Sequence, residues 1–168
     1  MKGPIGFGRM VNLVMNILMG ISISLVVLIS VHAPLTPDVV VQSWFCSFII
    51  GYTFGDLIPI ASLGPAICGK LGIRGGAGFY IINSICLAIY FGTVILFGMS
   101  IINNLATAGW GAVFGFFAMM WPIVAIAAII FVLAYLWLAQ LIAKGVSGFD
   151  PAKAAMEAAA AAAAAEQR

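Results

Sequence analysis

Four long apolar stretches, separated by short polar connections, dominate the hydrophobic pattern of the chain. Each stretch has at least 21 residues and at most one charged residue. A helix of about 20 apolar residues crosses the roughly 30 Å hydrocarbon core of a bilayer. The pattern therefore predicts an all-α polytopic membrane protein, a bundle of four transmembrane helices within residues 1–148. The predicted spans are residues 11–31, 44–67, 77–102 and 110–143.

The first stretch has two interpretations, a retained helix or a cleaved signal peptide. Lys2 and Arg9 precede it, and residues 31–33 resemble a cleavage site. However, the apolar core of a signal peptide usually has about 7–15 residues, and this stretch is longer. Pro34 would also follow the cut directly. We therefore predict a retained first helix.

The fourth stretch is too long for a helix that crosses the membrane upright. Its 34 residues would extend about 51 Å at roughly 1.5 Å per residue. Tilt, an interfacial portion or a kink at Pro122 must absorb the excess length. Pro59 predicts a similar kink in the second stretch, because proline removes one backbone hydrogen bond from a helix.

The composition explains why a membrane is the expected solvent. Hydrophobic residues make up 64% of the chain and charged residues 7%, and the mean hydropathy is +1.21. Soluble domains average about 45–50% apolar and about 25% charged residues. These values exclude an ordinary cytosolic enzyme, a nucleic-acid-binding domain and a disordered protein.

Residues suited to catalysis or metal binding are scarce. His32 is the only histidine, and the three cysteines, Cys46, Cys68 and Cys86, form no CxxC pair. The sequence has no Ser–His–Asp set, phosphate-binding glycine motif or zinc-ligand spacing. We therefore expect no catalytic residues, no metal and no cofactor. The net charge of +2, without a basic cluster, predicts no nucleic-acid partner.

Basic residues are confined to the termini and to one connection between the stretches. The connections at residues 32–43 and 103–109 contain no lysine or arginine. The positive-inside rule then places both termini in the cytoplasm. The basic residues that support this orientation are Lys2, Arg9, Lys70, Arg74, Lys144 and Lys153.

The C-terminal segment, residues 149–168, differs in composition from the rest of the chain. Most of its residues are alanine, the strongest helix former. An isolated helix of this length is marginal in water. We interpret the segment as a helical tail, either natural or an engineered linker, and assign it no function.

Asp56 is the only charged residue inside a predicted span, and it lies near the middle of residues 44–67. An acid at the centre of a membrane helix costs about 2.5–3.5 kcal/mol on insertion scales. Such an acid therefore faces the bundle interior or a water-filled cavity, or it stays protonated. Two interpretations follow: a site for a proton or small cation, or a neutral acid that hydrogen-bonds another helix.

Asn16, Asn83 and the carbonyl oxygen of Gly55 are the candidate partners of Asp56. Asn16, Asn83 and Asp56 all lie about 10–17 Å from the predicted cytoplasmic ends at roughly 1.5 Å per residue. Pro59 has no N–H to donate to Gly55, so that oxygen is free to accept another bond. An acid, a free carbonyl and two amides suit a proton or a small cation. Alternatively, the asparagines form interhelical hydrogen bonds of about 0.6 kcal/mol each.

The four predicted spans form two pairs with a similar layout. A shift of 63 positions aligns residues 54–60 with 117–123, which share a phenylalanine, a proline and an isoleucine. Chance similarity between apolar helices is the alternative explanation.

The chain resembles a bacterial family of uncharacterised two-helix membrane proteins, a domain of unknown function. The features that carry the resemblance are the asparagines of the leading helices, the turn at residues 103–109 and the segment 121–125. The resemblance covers residues 11–145 as a tandem pair and implies a bacterial inner-membrane protein without indicating an activity.

Two functions fit this sequence. The first is a subunit of a transporter or channel for an ion or small solute, with Asp56 at a central polar site. The second is a non-transporting accessory or scaffold subunit of a larger membrane complex. In this interpretation the polar residues serve only to pack the helices. Closely spaced glycines, as in residues 51–55 and 111–115, favour tight packing or a homo-oligomer. The expected partners are the bilayer and either further copies of the chain or a larger membrane protein.

Overall fold

The chain is helical, with short connections, over the residues that the structure describes. The computed structural model describes residues 2–57, 60–73, 76–151 and 153–154, and these contain no strand. The helices are α1 (Gly3–Ser30), α2 (Pro37–Leu57), α3 (Ile60–Lys70) and α4 (Gly76–Ser147). The prediction of an all-α protein is confirmed.

Two of these helices, α1 and α4, are long and apolar enough to cross a membrane. α1 has 28 residues and α4 has 72, whereas about 20 are sufficient. The outward surface of the molecule is also apolar, since Ile126, Ile130 and Trp137 are 64%, 60% and 64% exposed. Large apolar surfaces are rare on soluble monomers. These features are typical of a membrane protein.

α4 is a helical hairpin that bends at Gly109. This residue has φ 73° and ψ −176°, a backbone conformation that is essentially restricted to glycine. The bend divides α4 into a first arm, residues 76–108, and a second arm, residues 110–147. The arms lie side by side, as shown by the hydrogen bond that Trp121 Nε1 donates to Thr93 Oγ1 at 3.0 Å.

The two arms of α4 contain the third and fourth predicted spans. The first arm continues as helix through Asn103 and Asn104 to the bend. Near the open end of the hairpin, the Tyr80 hydroxyl donates to the backbone oxygen of Leu133 at 2.9 Å. Pro122 lies within the second arm, which is helical on both sides of the proline.

α1 ends in a left-handed turn at His32. The backbone N–H of Ala33 donates to the oxygen of Leu28 at 2.9 Å, and that of His32 donates to Ile29 at 3.1 Å. With φ 54° at His32, these bonds form a Schellman motif, which satisfies the last carbonyls of the helix. Pro34 then follows, and a proline at this point does not continue the helix.

The core lies mainly between α1 and α4, which share the most extensive contact. On both helices the buried residues recur at every fourth position, and residues four apart share one helix face. The face of α1 is lined by large side chains, and that of the second arm of α4 by smaller ones. The residues are Met15, Met19 and Ile23 on α1, and Val124, Ala128 and Val132 on α4.

Candidate functional site

Two asparagines of α1 lie directly against two glycines of α2. Asn12 and Asn16 are four residues apart and therefore share one face of their helix. Gly51 and Gly55 have the same spacing on α2. A Cβ atom added at Gly51 would overlap the Oδ1 atom of Asn16. One added at Gly55 would overlap the Oδ1 atom of Asn12. This close approach of the helices therefore requires glycine at both positions.

Hydrogen bonds connect the two asparagine side chains to each other and to α2. Asn16 Nδ2 donates to Asn12 Oδ1 at 2.7 Å and to the backbone oxygen of Asn12 at 2.8 Å. Asn12 Nδ2 in turn donates to the backbone oxygen of Tyr52 at 3.4 Å. The asparagine pair therefore joins α1 to the backbone of α2.

The Oδ1 atom of Asn16 is buried and accepts no hydrogen bond from any residue that the structure describes. It faces Gly51 at the point where a side chain would begin, which is the direction of a Cα–H bond. Contacts of the Cα–H···O type recur at helix–helix interfaces and contribute about 0.5–1 kcal/mol each. Gly51 thus supplies a weak donor to an oxygen that would otherwise be unsatisfied.

Asn83 makes the same kind of contact at another interface. It lies on α4 against Gly64 of α3, where an added Cβ would overlap Asn83 Oδ1 and come within 3.0 Å of its Cα atom. The adjacent Ser84 is fully buried, and its hydroxyl has no partner within the described part of the chain. An asparagine against a glycine therefore joins α3 to α4, as it joins α1 to α2.

The structure places the two predicted site asparagines at separate helix interfaces. Asn16 lies between α1 and α2, whereas Asn83 lies between α3 and α4. Gly55 is in contact with α1, and Asp56 follows it in the last turn of α2. The side chain of Asp56 and the whole of Pro59 lie outside the described residues. A common polar layer around Asp56 therefore stays a prediction.

Asn12 is a site residue that the sequence reasoning missed. Considered alone, it is one polar residue near the start of an apolar stretch. The available signal was its spacing of four from Asn16, which matches the spacing of Gly51 and Gly55 on the next helix. Matched spacings of this kind place polar and small residues on facing surfaces of two helices.

Among the described residues, Asn16 and its neighbours are closely packed. Its side chain is 0% exposed, and Gly51 on the facing helix has no room for a single methyl group. The Ile95 Cδ1 atom lies 3.2 Å from the same methyl position. Met15 and Met19, one position before and three after Asn16, are also fully buried. This arrangement holds helices together, and an ion or solute would have to separate them.

Further hydrogen bonds cross the helix interfaces and involve hydroxyl and indole groups. Each joins a polar side chain of one helix to a side chain or a backbone oxygen of another, which is the usual role of such groups in membrane bundles. These bonds join Ser24 Oγ to Ser47 Oγ at 2.8 Å, Trp44 Nε1 to the Ile17 oxygen at 3.2 Å, and the Tyr90 hydroxyl to the Phe54 oxygen at 3.0 Å.

Metal-binding groups are not assembled in the described parts of the structure. Those residues contain no cluster of three or more His, Cys, Asp or Glu side chains that could hold a metal ion. Cys46, Cys68 and Cys86 are free thiols. The candidate site is therefore formed by the asparagine–glycine contacts.

Comparison of the chain with protein-family models, with curated proteins and with solved structures finds no match.

Proposed function

We propose that this protein is a non-transporting subunit of a larger membrane assembly, formed with another membrane protein or with further copies of itself. One observation carries the proposal: the fully buried polar side chain of Asn16 is engaged in a close helix contact with Gly51. Asn12 and Asn83 are engaged in the same way. These three amides thus serve the packing of the bundle.

The proposed subunit crosses a bacterial inner membrane four times, with both termini in the cytoplasm. α1, α2 together with α3, and the two arms of α4 supply the four spans. The distribution of lysine and arginine supports this orientation. The resemblance to a tandem pair of two-helix units supports the bacterial assignment, and the asparagine–glycine contacts join α1 to α2 and α3 to α4.

A glycine pair on the outer surface supports an external partner. Gly111 and Gly115 are exposed, and a Cβ atom at either would meet no atom within 4 Å. Trp110 and Phe114 beside them are 54% and 56% exposed. Small residues between large aromatic ones allow a neighbouring helix to approach closely. We expect the partner to contact this part of the second arm of α4.

A transporter or channel subunit with Asp56 as its working residue is the second candidate. Asp56 is the only charged residue within a predicted span, and intramembrane acids are often functional. Pro59 supports this candidate, because it leaves the carbonyl oxygen of Gly55 without its helical donor. The two candidates therefore assign different roles to Asp56.

Flux measurements in proteoliposomes separate the two candidates. The purified chain and an Asp56→Asn variant are reconstituted and assayed for proton, sodium and potassium flux against protein-free vesicles. Asparagine keeps the size of the side chain but removes its titration. We expect both proteins to match the protein-free vesicles. Flux through the unmodified chain that is lost in Asp56→Asn would instead establish the transporter.

The size of the assembly tests the partner surface. Membranes are solubilised in mild detergent, and the tagged chain is sized by native electrophoresis. We expect a complex larger than one chain, which Gly115→Leu reduces to the single chain. Gly145→Leu is the matched control, because Gly145 is also exposed on the second arm with no atom within 4 Å of its Cβ position. A single chain without any substitution would reject the proposal.

A further inference from the structure

A cavity lies where the start of α1 meets the end of α4. Its volume is about 300 Å³, and its apolar walls are the side chains of Phe7, Trp137 and Leu141. The rings of Phe7 and Phe149 are 5.9 Å apart and hold the two chain segments together. A binding pocket of this size is at the lower end of the range for small ligands, about 300–1,000 Å³.

Polar groups converge on one side of this cavity. Gln140 and Lys144 line it from the last turns of α4, one helical turn apart. Lys144 Nζ forms an ion pair with Asp150, which follows the turn at Gly148, where φ is 64°. The Lys144 side chain is 54% exposed and that of Asp150 is 30% exposed. The ammonium group is therefore held at the cavity but remains accessible to a second anion.

The geometry points to a binding site for the phosphate headgroup of an anionic phospholipid. The phosphate contacts Lys144 and Gln140, and the beginning of the acyl chains lies along Trp137 and Leu141. Tryptophan and lysine at the end of an apolar helix are typical of the membrane–water interface. Trp137 and Leu141, which are 64% and 54% exposed, offer a surface to acyl chains that free phosphate would not use.

Charge at this end of the molecule favours an anionic lipid over a neutral one. Lys2 and Arg9 are exposed near Phe7 in the chain, and Lys144 lines the cavity. Basic groups at a membrane surface attract anionic headgroups by about 1 kcal/mol each, which corresponds to about fivefold in affinity. The Asp150 carboxylate repels the phosphate and competes with it for Lys144, so Asp150 should weaken lipid binding.

Two substitutions with opposite expected effects test this site. Binding of phosphatidylglycerol and phosphatidylcholine to the full chain in neutral detergent is measured by native mass spectrometry. We expect Lys144→Gln to weaken phosphatidylglycerol binding about fivefold, because one charge contact is lost. Asp150→Asn should strengthen it several-fold, because a competing carboxylate is removed. Lys70→Gln is the matched control, since Lys70 ends α3 and does not line the cavity.

Several outcomes would overturn the inference. Equal binding of both lipids would show that the apolar walls act alone. Equal weakening by Lys70→Gln and Lys144→Gln would show attraction to net charge instead of a site. Glycerol phosphate that displaces phosphatidylglycerol at equal concentration would indicate a site for free phosphate. If Lys144→Gln does not fold, Asp150→Asn decides, and binding that is unchanged or weaker in that variant would reject the site.

Discussion

The contact of Asn16 with Gly51 shows how one residue pair can determine the approach of two helices. The glycine lacks the atom that would overlap the amide, and the amide places its oxygen over the glycine Cα. Neither residue can be replaced by a larger one on its own, because the larger side chain would occupy the space of the other residue. Single substitutions and their combinations can therefore measure the contact.

The variant Gly51→Ala should be less stable than the unmodified chain by about 1–3 kcal/mol, the usual effect of overpacking a buried site. The measurement is thermal or denaturant unfolding in detergent. Gly145→Ala is the control, since that position also lies in a helix and is open, and we expect no loss there. Adding Asn16→Ala to Gly51→Ala should recover part of the stability, because the overlapping atoms are removed. No recovery in the double variant would contradict the contact.

Asp38 provides a pH-dependent contribution to stability outside the predicted spans. Its carboxylate accepts a hydrogen bond from the Thr36 side chain, which lowers its pKa below the usual value of 3.8. A lowered folded pKa stabilises the folded state above the unfolded pKa, and this contribution is lost as the pH falls through the folded pKa. We therefore expect Asp38→Asn to reduce the loss of stability below about pH 4.

Unfolding temperatures between pH 2 and pH 7, roughly the range over which carboxylates titrate, provide the measurement for Asp38. Thr36→Ser is a suitable control, because serine keeps the hydroxyl group that donates to the carboxylate. The control should keep the pH dependence of the unmodified chain. Identical acid profiles for Asp38→Asn and the unmodified chain would mean that the hydrogen bond does not contribute.

At the scale of the element, the hairpin of α4 depends on one residue. The sequence is apolar on both sides of Gly109. The hydrophobic pattern shows only a short connection, residues 103–109, between the two arms. The bend results from a backbone conformation with φ 73° that suits glycine. The neighbouring arms then contact each other through pairs such as Trp121 and Thr93.

Gly109→Ala should destabilise the chain by about 1–3 kcal/mol, because alanine is strained in this backbone conformation. Gly145→Ala is the matched control, since Gly145 lies within the helix and its Cβ position is open. Alanine there should leave stability unchanged or raise it by up to about 1 kcal/mol. Both variants are compared by unfolding in the same detergent. Equal stability of the two variants would contradict a bend of this conformation.

At the scale of the whole molecule, the outward apolar surface and the alternating basic connections lead to the proposed topology. Thr36 and Lys70 lie in exposed positions at the start of α2 and the end of α3. The topology places them on opposite sides of the membrane, since only the connection after α3 carries basic residues. Their accessibility in intact cells is therefore a direct test.

Single cysteines at these two positions should react differently with a membrane-impermeant thiol reagent. The three native cysteines are first replaced by serine or alanine. We expect Thr36→Cys to react in intact cells and Lys70→Cys to react only after the membrane is permeabilised. Reaction of Lys70→Cys in intact cells would reverse or reject the proposed orientation.

The helical class and the membrane character of the chain follow from the length of its apolar stretches and the scarcity of charge. These properties are sums over many residues, so they do not depend on which residue contacts which. The same reasoning could place Asn16 and Asn83 inside the bundle, because amides are costly in contact with lipid.

Only the packing of the helices determined which face of each helix is buried and which residue each asparagine contacts. Lipid tails are as apolar as a protein core, so hydrophobicity does not reveal which side of a membrane helix is buried. For that reason the hydrophobic pattern could not show that Asn83 contacts Gly64, and only the matching four-residue spacings pointed to the contact of Asn12 with Gly55. The cavity at Lys144 likewise exists only because α1 and α4, distant in sequence, meet at their ends.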